Sequence, residues 1–367
     1  MSDLLETAAV RADQINDALD SISAEAQARD AEPAPAFPES AIAALERAGA
    51  LAGNAVTGTP RPPAADELDL VRRVARADGS VGRIYDGHVN AVERLAVQGP
   101  AALAGRELEM IAAGELRAGV WGGDPVPTEG APARVVRVGG ADVLRGVKTF
   151  CSGAGGLHRA LVLARDTDGG GPPISVWVDL TDPDRVQIDE SWYRSHGLRA
   201  SVSHRVLFHD APVLARLGPP GSISDQPWFA RDALRTAASW AGMVDAAAQA
   251  ALHELAARPG RGPLESLAAG RILTCRHTVS VWIDAAAQSM DGIGLELPAT
   301  SIHARAAISD ASHVLLDEAA RACGSRPFAR ATALDRARRD LEVFLLQHRL
   351  DPMLARAGDA ALSEAAD

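Results

Sequence analysis

An aromatic side chain and a hydroxyl group stand two positions apart in the segment TFCSGAGG, where Phe150 and Ser152 are followed by Gly153. The residues before them alternate as in a strand, and side chains two apart on a strand project from the same face. An aromatic wall beside a hydrogen-bonding group suits a flat, largely apolar ring with polar edges. Taken alone, however, the pattern favours an ordinary strand with a core aromatic residue and a turn serine.

A histidine near the end of the chain is a second candidate for chemistry. His348 lies at helical spacing from Leu341, Phe344 and Leu345, which predicts that it faces inward. An inward histidine is more often a hydrogen-bonded core residue than a catalyst. The other histidines form no H-x-x-x-H or H-E-x-x-H pair and the three cysteines form no C-x-x-C pair, so the sequence indicates neither a metal site nor a disulfide framework.

The composition predicts a folded protein that stays in solution. The chain has 367 residues, of which 47% are hydrophobic and 23% charged, with a formal net charge of −11. An acidic chain without a basic stripe is not expected to bind nucleic acid. It contains no long uncharged apolar run and no signal-peptide pattern. We therefore expect no membrane span and, with three unpaired cysteines, a cytoplasmic location.

The elements that position these residues fall into three regions. Helical spacing of apolar residues predicts an N-terminal helical domain over residues 1–113. Short alternating segments such as ISVWVDL, separated by Gly, Pro and Asp, predict a central antiparallel β-barrel or sandwich over residues 114–220. Helical periodicity returns over residues 221–360, where we predict a C-terminal domain resembling a four-helix bundle. Residues 361–367 are expected to be a frayed tail. The predicted fold class is α+β.

Several segments in this order resemble the acyl-CoA dehydrogenase family. FPESAIAALERAGALA is similar to an early helical segment of that family, and VLRGVKTFCSGAGG to its flavin strand, with Gly146 and Lys148 as a G-x-K. HGLRASVSHRVLFHDAPV resembles the strand that follows, and CGSRPFARATALDRARRD resembles the closing signature. The resemblance covers most of the chain and implies the acyl-CoA dehydrogenase fold.

The resemblance also implies a flavin cofactor, FAD, with FMN as the alternative for a monooxygenase. Phe150 would lie against the ring and the Ser152 hydroxyl near its reactive nitrogen, which would influence hydride acceptance. The segment GVWGGDP occupies the place of the family's cofactor loop, so Trp121 is a ring contact or a core residue, and Gly123 stands where the family has threonine. Further implied cofactor contacts are Gly153 and Gly324.

Two departures from the family pattern affect the catalytic base. The family's usual glutamate after the RD signature is replaced by His348, and flavin monooxygenases of the same fold tend to carry a histidine there. Some members place the base on the first C-terminal helix instead. When Gly242 is aligned with the glycine of that helix in the family, Asp232 falls at the position of the catalytic base. Asp232 is equally well interpreted as an exposed acid that favours the helix dipole.

Three functions therefore remain open. The first is an FAD-dependent dehydrogenase that removes an α-proton and a β-hydride from an acyl thioester or similar activated carbonyl, passing electrons to an acceptor flavoprotein. The second is a two-component monooxygenase supplied by a flavin reductase, with His348 near the reacting oxygen. The third is a flavin- or acyl-carrier-binding protein without redox turnover. The resemblance also implies a homodimer or homotetramer, although the loop ARPGRGPLES, with Arg258 and Arg261, lacks the family's phenylalanine.

Overall fold

A computed structural model describes residues 2–52, 62–167, 170–347 and 349–366. The helices are α1 Ser2–Ala31, α2 Glu39–Arg47, α3 Ala64–Ala77, α4 Gly79–Gln98, α5 Ala101–Ala112, α6 Trp228–Ala256, α7 Pro263–Met290, α8 Leu297–Cys323, α9 Ala333–Leu345 and α10 Asp351–Glu364. The strands are β1 Ala118–Trp121, β2 Arg134–Val138, β3 Ala141–Cys151, β4 Arg159–Ala164, β5 Ile174–Asp179, β6 Val186–Asp189 and β7 His204–Arg216. The predicted order of helices, strands and helices is confirmed, and none of the described helices is long and apolar enough to cross a membrane.

The described residues divide into two compact units. The first comprises residues 1–62, 80–195 and 199–228, and therefore holds the sheet and most of the N-terminal helices. The second comprises residues 63–79, 196–198 and 229–367. Helix α3 belongs to the second unit, although the predicted N-terminal domain over residues 1–113 includes it. The three predicted domain ranges stay predictions.

The seven strands of the first unit form a mixed sheet in the order β1-β4-β5-β7-β3-β2, with β6 beside β7. The prediction of an antiparallel sheet is wrong for β1 and β4, which pair in parallel, while the other pairings are antiparallel. Parallel pairing arises because the chain crosses the sheet between these strands instead of turning back in a hairpin. A bridge between Arg134 and Arg165 links β2 to the end of β4 and closes the sheet toward a barrel.

One apolar core in the first unit joins helices α4 and α5 to the sheet. Leu95 of α4 and Leu108 of α5 are buried against Ala118, Leu161 and Trp177 of strands β1, β4 and β5. The Trp177 indole N–H donates to a Glu107 carboxylate oxygen at 2.5 Å, which satisfies the polar atom of the buried ring. This packing gives β1 a fixed place in the sheet.

The second unit is helical and contains long, alanine-rich segments. Helix α10 continues to Glu364, into the range that the sequence assigns to a tail; the tail itself stays a prediction. The last turns contain Ala360, Ala361, Leu362 and Glu364, which are strong helix formers. The helices α6 to α9 fill the range predicted for the C-terminal bundle.

Candidate functional site

The loop after β1 is tied to β3 by its backbone and by a buried amine. The Thr149 N–H donates to the Gly123 carbonyl at 3.0 Å, and a Cβ at Gly123 would lie 2.5 Å from the Thr149 oxygen. Gly123 is therefore required by the close approach of two backbones. The Lys148 amine donates to the Gly122 carbonyl at 3.1 Å and to Asp124 at 2.7 Å. Burial lowers the pKa of Lys148, and the hydrogen bond to Asp124 opposes that shift.

Phe150 presents its ring outward from the end of β3. Its φ is 54°, in the left-handed region that bulky residues rarely occupy, and the register of β3 against β7 shifts between Lys148 and Cys151. The side chain is 61% exposed. It contacts Trp192 edge-on with ring centroids 4.9 Å apart, and the Trp192 indole N–H donates to Glu129 at 2.7 Å. An exposed aromatic ring in a strained backbone conformation is typical of a binding site.

Ser152 follows β3 in a turn, so the prediction that Phe150 and Ser152 share one face of a strand is wrong. The positive φ of Phe150 breaks the strand's alternation, which leaves Phe150 exposed and Ser152 buried. Trp121 lies in the core and is 1% exposed. Its indole N–H donates to the Ser152 carbonyl at 3.0 Å. Of the two interpretations of Trp121, the structure favours the core residue, which supports the turn that holds Ser152.

Two further serines complete a hydroxyl network at this turn. The Ser152 hydroxyl lies 2.8 Å from that of Ser203, which in turn lies 2.8 Å from that of Ser201. Val202 between them has a φ of 43°, which is an outlier for a β-branched residue. The Gly153 N–H donates to the Ser201 carbonyl at 2.8 Å. The turn after β3 and the segment before β7 thus hold each other in place.

His204 adds a titratable group beside this network. It pairs with Cys151 across β3 and β7, and its ring stands edge-on to Tyr193 at 6.4 Å. Its Nδ1 is buried and has no hydrogen-bond partner among the described residues. Burial lowers the pKa of His204, with Glu190 and Asp189 opposing the shift. We call Phe150, Ser152, Trp192, Ser203 and His204 the β3-end site.

Asp232 belongs to the second unit, on the first turns of α6. Its carboxylate lies 3.4 Å from the buried Arg235 guanidinium. Arg235 also pairs with Glu67 of α3, and Arg231 pairs with the same Glu67 at 3.0 Å. The Asp232 side chain is 19% exposed. Asp232 is thus part of a charged network and is not an isolated carboxylate in an apolar pocket.

Gly324, another predicted cofactor contact, lies at the end of α8. Gly324 caps α8 with a φ of 70°, and the Arg258 guanidinium donates to the preceding Cys323 carbonyl at 2.6 Å. The structure therefore places Arg258 beside Gly324. His348 lies outside the described residues, and its role stays a prediction.

Ser203, Ser201, Trp192 and His204 were not predicted as site residues. The S-x-S-H pattern at Ser201–His204 lies in a segment that resembles the family strand after the flavin strand, and its alternating hydroxyls were a usable signal. Trp192 offered no such signal, because it follows β6 and is far from Phe150 in the sequence. Pairing across a sheet depends on register, which the sequence leaves open.

Comparison with solved structures shows that the chain has the acyl-CoA dehydrogenase fold. It is similar to the dibenzothiophene monooxygenase TdsC from Paenibacillus sp. A11-2, with 19% identity, a TM-score of 0.80, and coverage of 96% of this chain and 97% of that one. It is also similar to butyryl-CoA dehydrogenase from Megasphaera elsdenii, with 17% identity, a TM-score of 0.81, and coverage of 96% and 98%. Methanesulfinate monooxygenase MsuC from Pseudomonas fluorescens matches with 19% identity, a TM-score of 0.79, and coverage of 96% of both chains. No protein-family model and no curated protein sequence matches the chain.

Proposed function

We propose that this protein is a flavin-dependent oxidoreductase that binds FMN or FAD at the β3-end site. The observation that carries the proposal is Phe150, whose exposed ring is held in a left-handed backbone conformation at the end of β3. A flat ring system requires an aromatic surface and a few aimed polar groups, and this site offers both. The fold is shared with a monooxygenase solved with FMN and with an acyl-CoA dehydrogenase.

The residues present fit such a cofactor. Phe150 would contact the face of the ring, with Trp192 fixing the Phe150 side chain edge-on. Ser152 would hydrogen-bond a polar edge, and the unpartnered Nδ1 of His204 leaves a further buried polar atom at the site. A bound flavin would supply two-electron redox chemistry, while the chain's own residues bind the ring and orient its edge.

Within this class, the charged network around Asp232 favours oxygenation over dehydrogenation. Removing an α-proton from an acyl thioester requires a carboxylate whose environment raises its basicity. Asp232 is instead paired with Arg235, which stabilises a negative charge on the carboxylate. We therefore propose a two-component monooxygenase that receives reduced flavin from a reductase. One oxygen atom of O₂ would be transferred to a small organic substrate and the other released as water, with the reduced flavin supplying the two electrons.

The test of flavin binding is the variant Phe150→Ala. Loss of the ring contact is expected to weaken binding of FMN or FAD about tenfold, since an aromatic stacking contact contributes about 1.5 kcal/mol. Binding is measured by the change in flavin fluorescence on titration with protein. Phe328→Ala is the matched control, because Phe328 packs against Arg338 in the second unit. A wild-type protein that takes up neither flavin would contradict the proposed function.

A second experiment separates the two chemistries. The protein is loaded with oxidised flavin under anaerobic conditions and mixed with acyl thioesters, and the visible absorption is followed. The proposal predicts no bleaching, together with oxygen-dependent consumption of reduced flavin. Anaerobic bleaching that is lost in Asp232→Asn while flavin stays bound would establish dehydrogenation with Asp232 as the base.

A further inference from the structure

One carboxylate joins two loops that flank the β3-end site. Glu129 ends a short 3₁₀ helix, Pro127–Glu129, in the loop after β1. One of its carboxylate oxygens accepts the Val126 N–H at 3.1 Å, and the other accepts the Trp192 indole N–H at 2.7 Å. Trp192 lies in the loop after β6. Glu129 therefore links its own turn to the loop that carries Trp192.

The turn that carries Glu129 is anchored to β3 by backbone hydrogen bonds. The Val147 N–H donates to the Ala131 carbonyl at 2.9 Å, and the Ala133 N–H donates to the Val147 carbonyl at 3.1 Å. Both contacts lie within a few residues of Glu129 along the chain. They fix the turn relative to the strand from which Phe150 emerges.

The loop that carries Trp192 is anchored to the same turn through an arginine. Arg205 of β7 lies opposite Asp189, the last residue of β6, and its guanidinium donates to the Asp189 carboxylate at 2.6 Å. The same guanidinium donates to the Glu129 carbonyl at 3.2 Å. Two connections, one through the side chain of Glu129 and one through its carbonyl, thus hold this loop against the turn.

Trp192 in turn restricts the ring of Phe150. The backbone of Phe150 is fixed at a φ of 54°, but its side chain is 61% exposed and has few other contacts to hold it. The edge-on contact with Trp192, with ring centroids 4.9 Å apart, limits how the ring can rotate. Binding against a side chain that is already ordered loses less entropy than binding against a mobile one. The contact therefore prepares Phe150 for a ligand.

We propose that Glu129 is a positioning residue that orients the ring of Phe150 for a bound flavin by holding the indole of Trp192. The inference rests on the proposed function, in which Phe150 contacts the face of the cofactor ring. Because Glu129 acts through the indole N–H, its effect on flavin binding depends on that N–H being present.

The contact is tested first in the flavin-free protein, by NMR of isotope-labelled tryptophan. The chain has six tryptophans, and loss of one indole signal in Trp192→Phe identifies the signal of Trp192. Glu129→Ala is expected to move this signal, because the indole N–H loses its acceptor. Glu129→Gln keeps an acceptor oxygen and is expected to leave the signal close to its wild-type position. A Trp192 signal that does not move in Glu129→Ala would overturn the proposal.

The effect on the cofactor is tested by measuring the affinity of the variants for the flavin that the wild type takes up. Glu129→Ala and Trp192→Phe are each expected to weaken binding about fivefold, the equivalent of ordering one side chain. Glu129→Gln is expected to restore the affinity. The double variant of Glu129→Ala with Trp192→Phe is expected to bind no more weakly than either single variant, because both substitutions remove the same contact.

Glu318→Ala is the matched control, because it removes a carboxylate of α8 that pairs with Arg271 in the second unit. Losses that multiply in the double variant would show that Glu129 acts independently of Trp192 and would overturn the inference. Unchanged affinity in Glu129→Ala would do the same. A wild type that takes up neither FMN nor FAD would overturn the proposed function, and the indole signal would still decide whether Glu129 holds Trp192.

Discussion

Buried arginines of the second unit fall into two electrostatic classes. Arg235 is fully buried and shares the Glu67 carboxylate with Arg231. Arg305 of α8 is 1% exposed, and no carboxylate of the described residues pairs with it. Its guanidinium donates to the Ser301 carbonyl at 2.7 Å and to the Met353 sulfur at 3.7 Å. Burial lowers the pKa of Arg305 to about 10, as expected of a cation without a charge partner.

This difference predicts opposite outcomes for the same substitution. Arg305→Met removes a buried charge that has no ionic partner, and we expect the free energy of unfolding to stay the same or to rise by about 1 kcal/mol. Arg235→Met leaves Glu67 with one cation fewer in a buried site, and we expect a loss of about 3 kcal/mol. Urea denaturation measures both values. A large loss for Arg305→Met would indicate that its two hydrogen bonds outweigh the cost of burying the charge.

At the level of elements, two histidines hold the start of β1 through backbone hydrogen bonds. His88 of α4 accepts the Ala118 N–H at Nδ1 and bonds the Leu51 carbonyl through Nε2. His158 accepts the Arg117 N–H at Nδ1. Accepting nitrogens require neutral rings. Burial lowers the pKa of both histidines, with Arg117 adding to the shift in each.

The pKa shifts predict how stability depends on pH. Because the folded pKa of each histidine lies below the unfolded value of about 6.5, the unfolded state binds more protons, and stability falls as the pH drops below about 6.5. The contribution is fully present above that pH. We expect His88→Gln, whose amide can both donate and accept, to flatten the decline between about pH 7 and pH 5. His253→Gln, an exposed position on α6, is the control, and equal slopes for all three proteins would contradict the prediction.

Elements were more predictable from the sequence than the contacts that bring the site together. Apolar periodicity located the helices and the strand-rich region, because burial of one face dictates that period. It could not reveal the left-handed Phe150, since a bulge depends on the partner strand. Asp232 was predicted as a base because the sequence indicates its position on the helix. Its pairing with Arg235 near Glu67 could not be predicted, because it depends on the packing of α3 against α6. Gly242 of α6 permits that packing, since its position leaves no room for a side chain against the Arg72 carbonyl.

At the scale of the whole molecule, exposed apolar side chains on α7 bear on assembly. Leu264, Leu267 and Val281 are 78%, 52% and 51% exposed, and the last two lie fourteen residues apart, close to one helical face. Exposed apolar side chains along one face of a helix can form part of a protein interface. They agree with the homodimer or homotetramer that the sequence resemblance implies, which stays a prediction.

The prediction is tested by light scattering coupled to size exclusion. We expect the wild type to run as a dimer or tetramer, and the double variant Leu267→Asp with Val281→Asp to shift the population toward monomer, because two carboxylates would have to be buried in the contact. Leu362→Asp changes a similarly exposed leucine of α10 and serves as the control. A monomeric wild type would refute the assignment.

The sole lysine of the sequence has a practical consequence. Lys148 is 1% exposed, and its amine is engaged by Asp124 and by the Gly122 carbonyl. Reagents that acylate side-chain amines would therefore meet their target only when β3 separates from the loop after β1. The rate at which Lys148 is modified would report how often this part of the protein opens, without any introduced probe, at the strand from which Phe150 emerges.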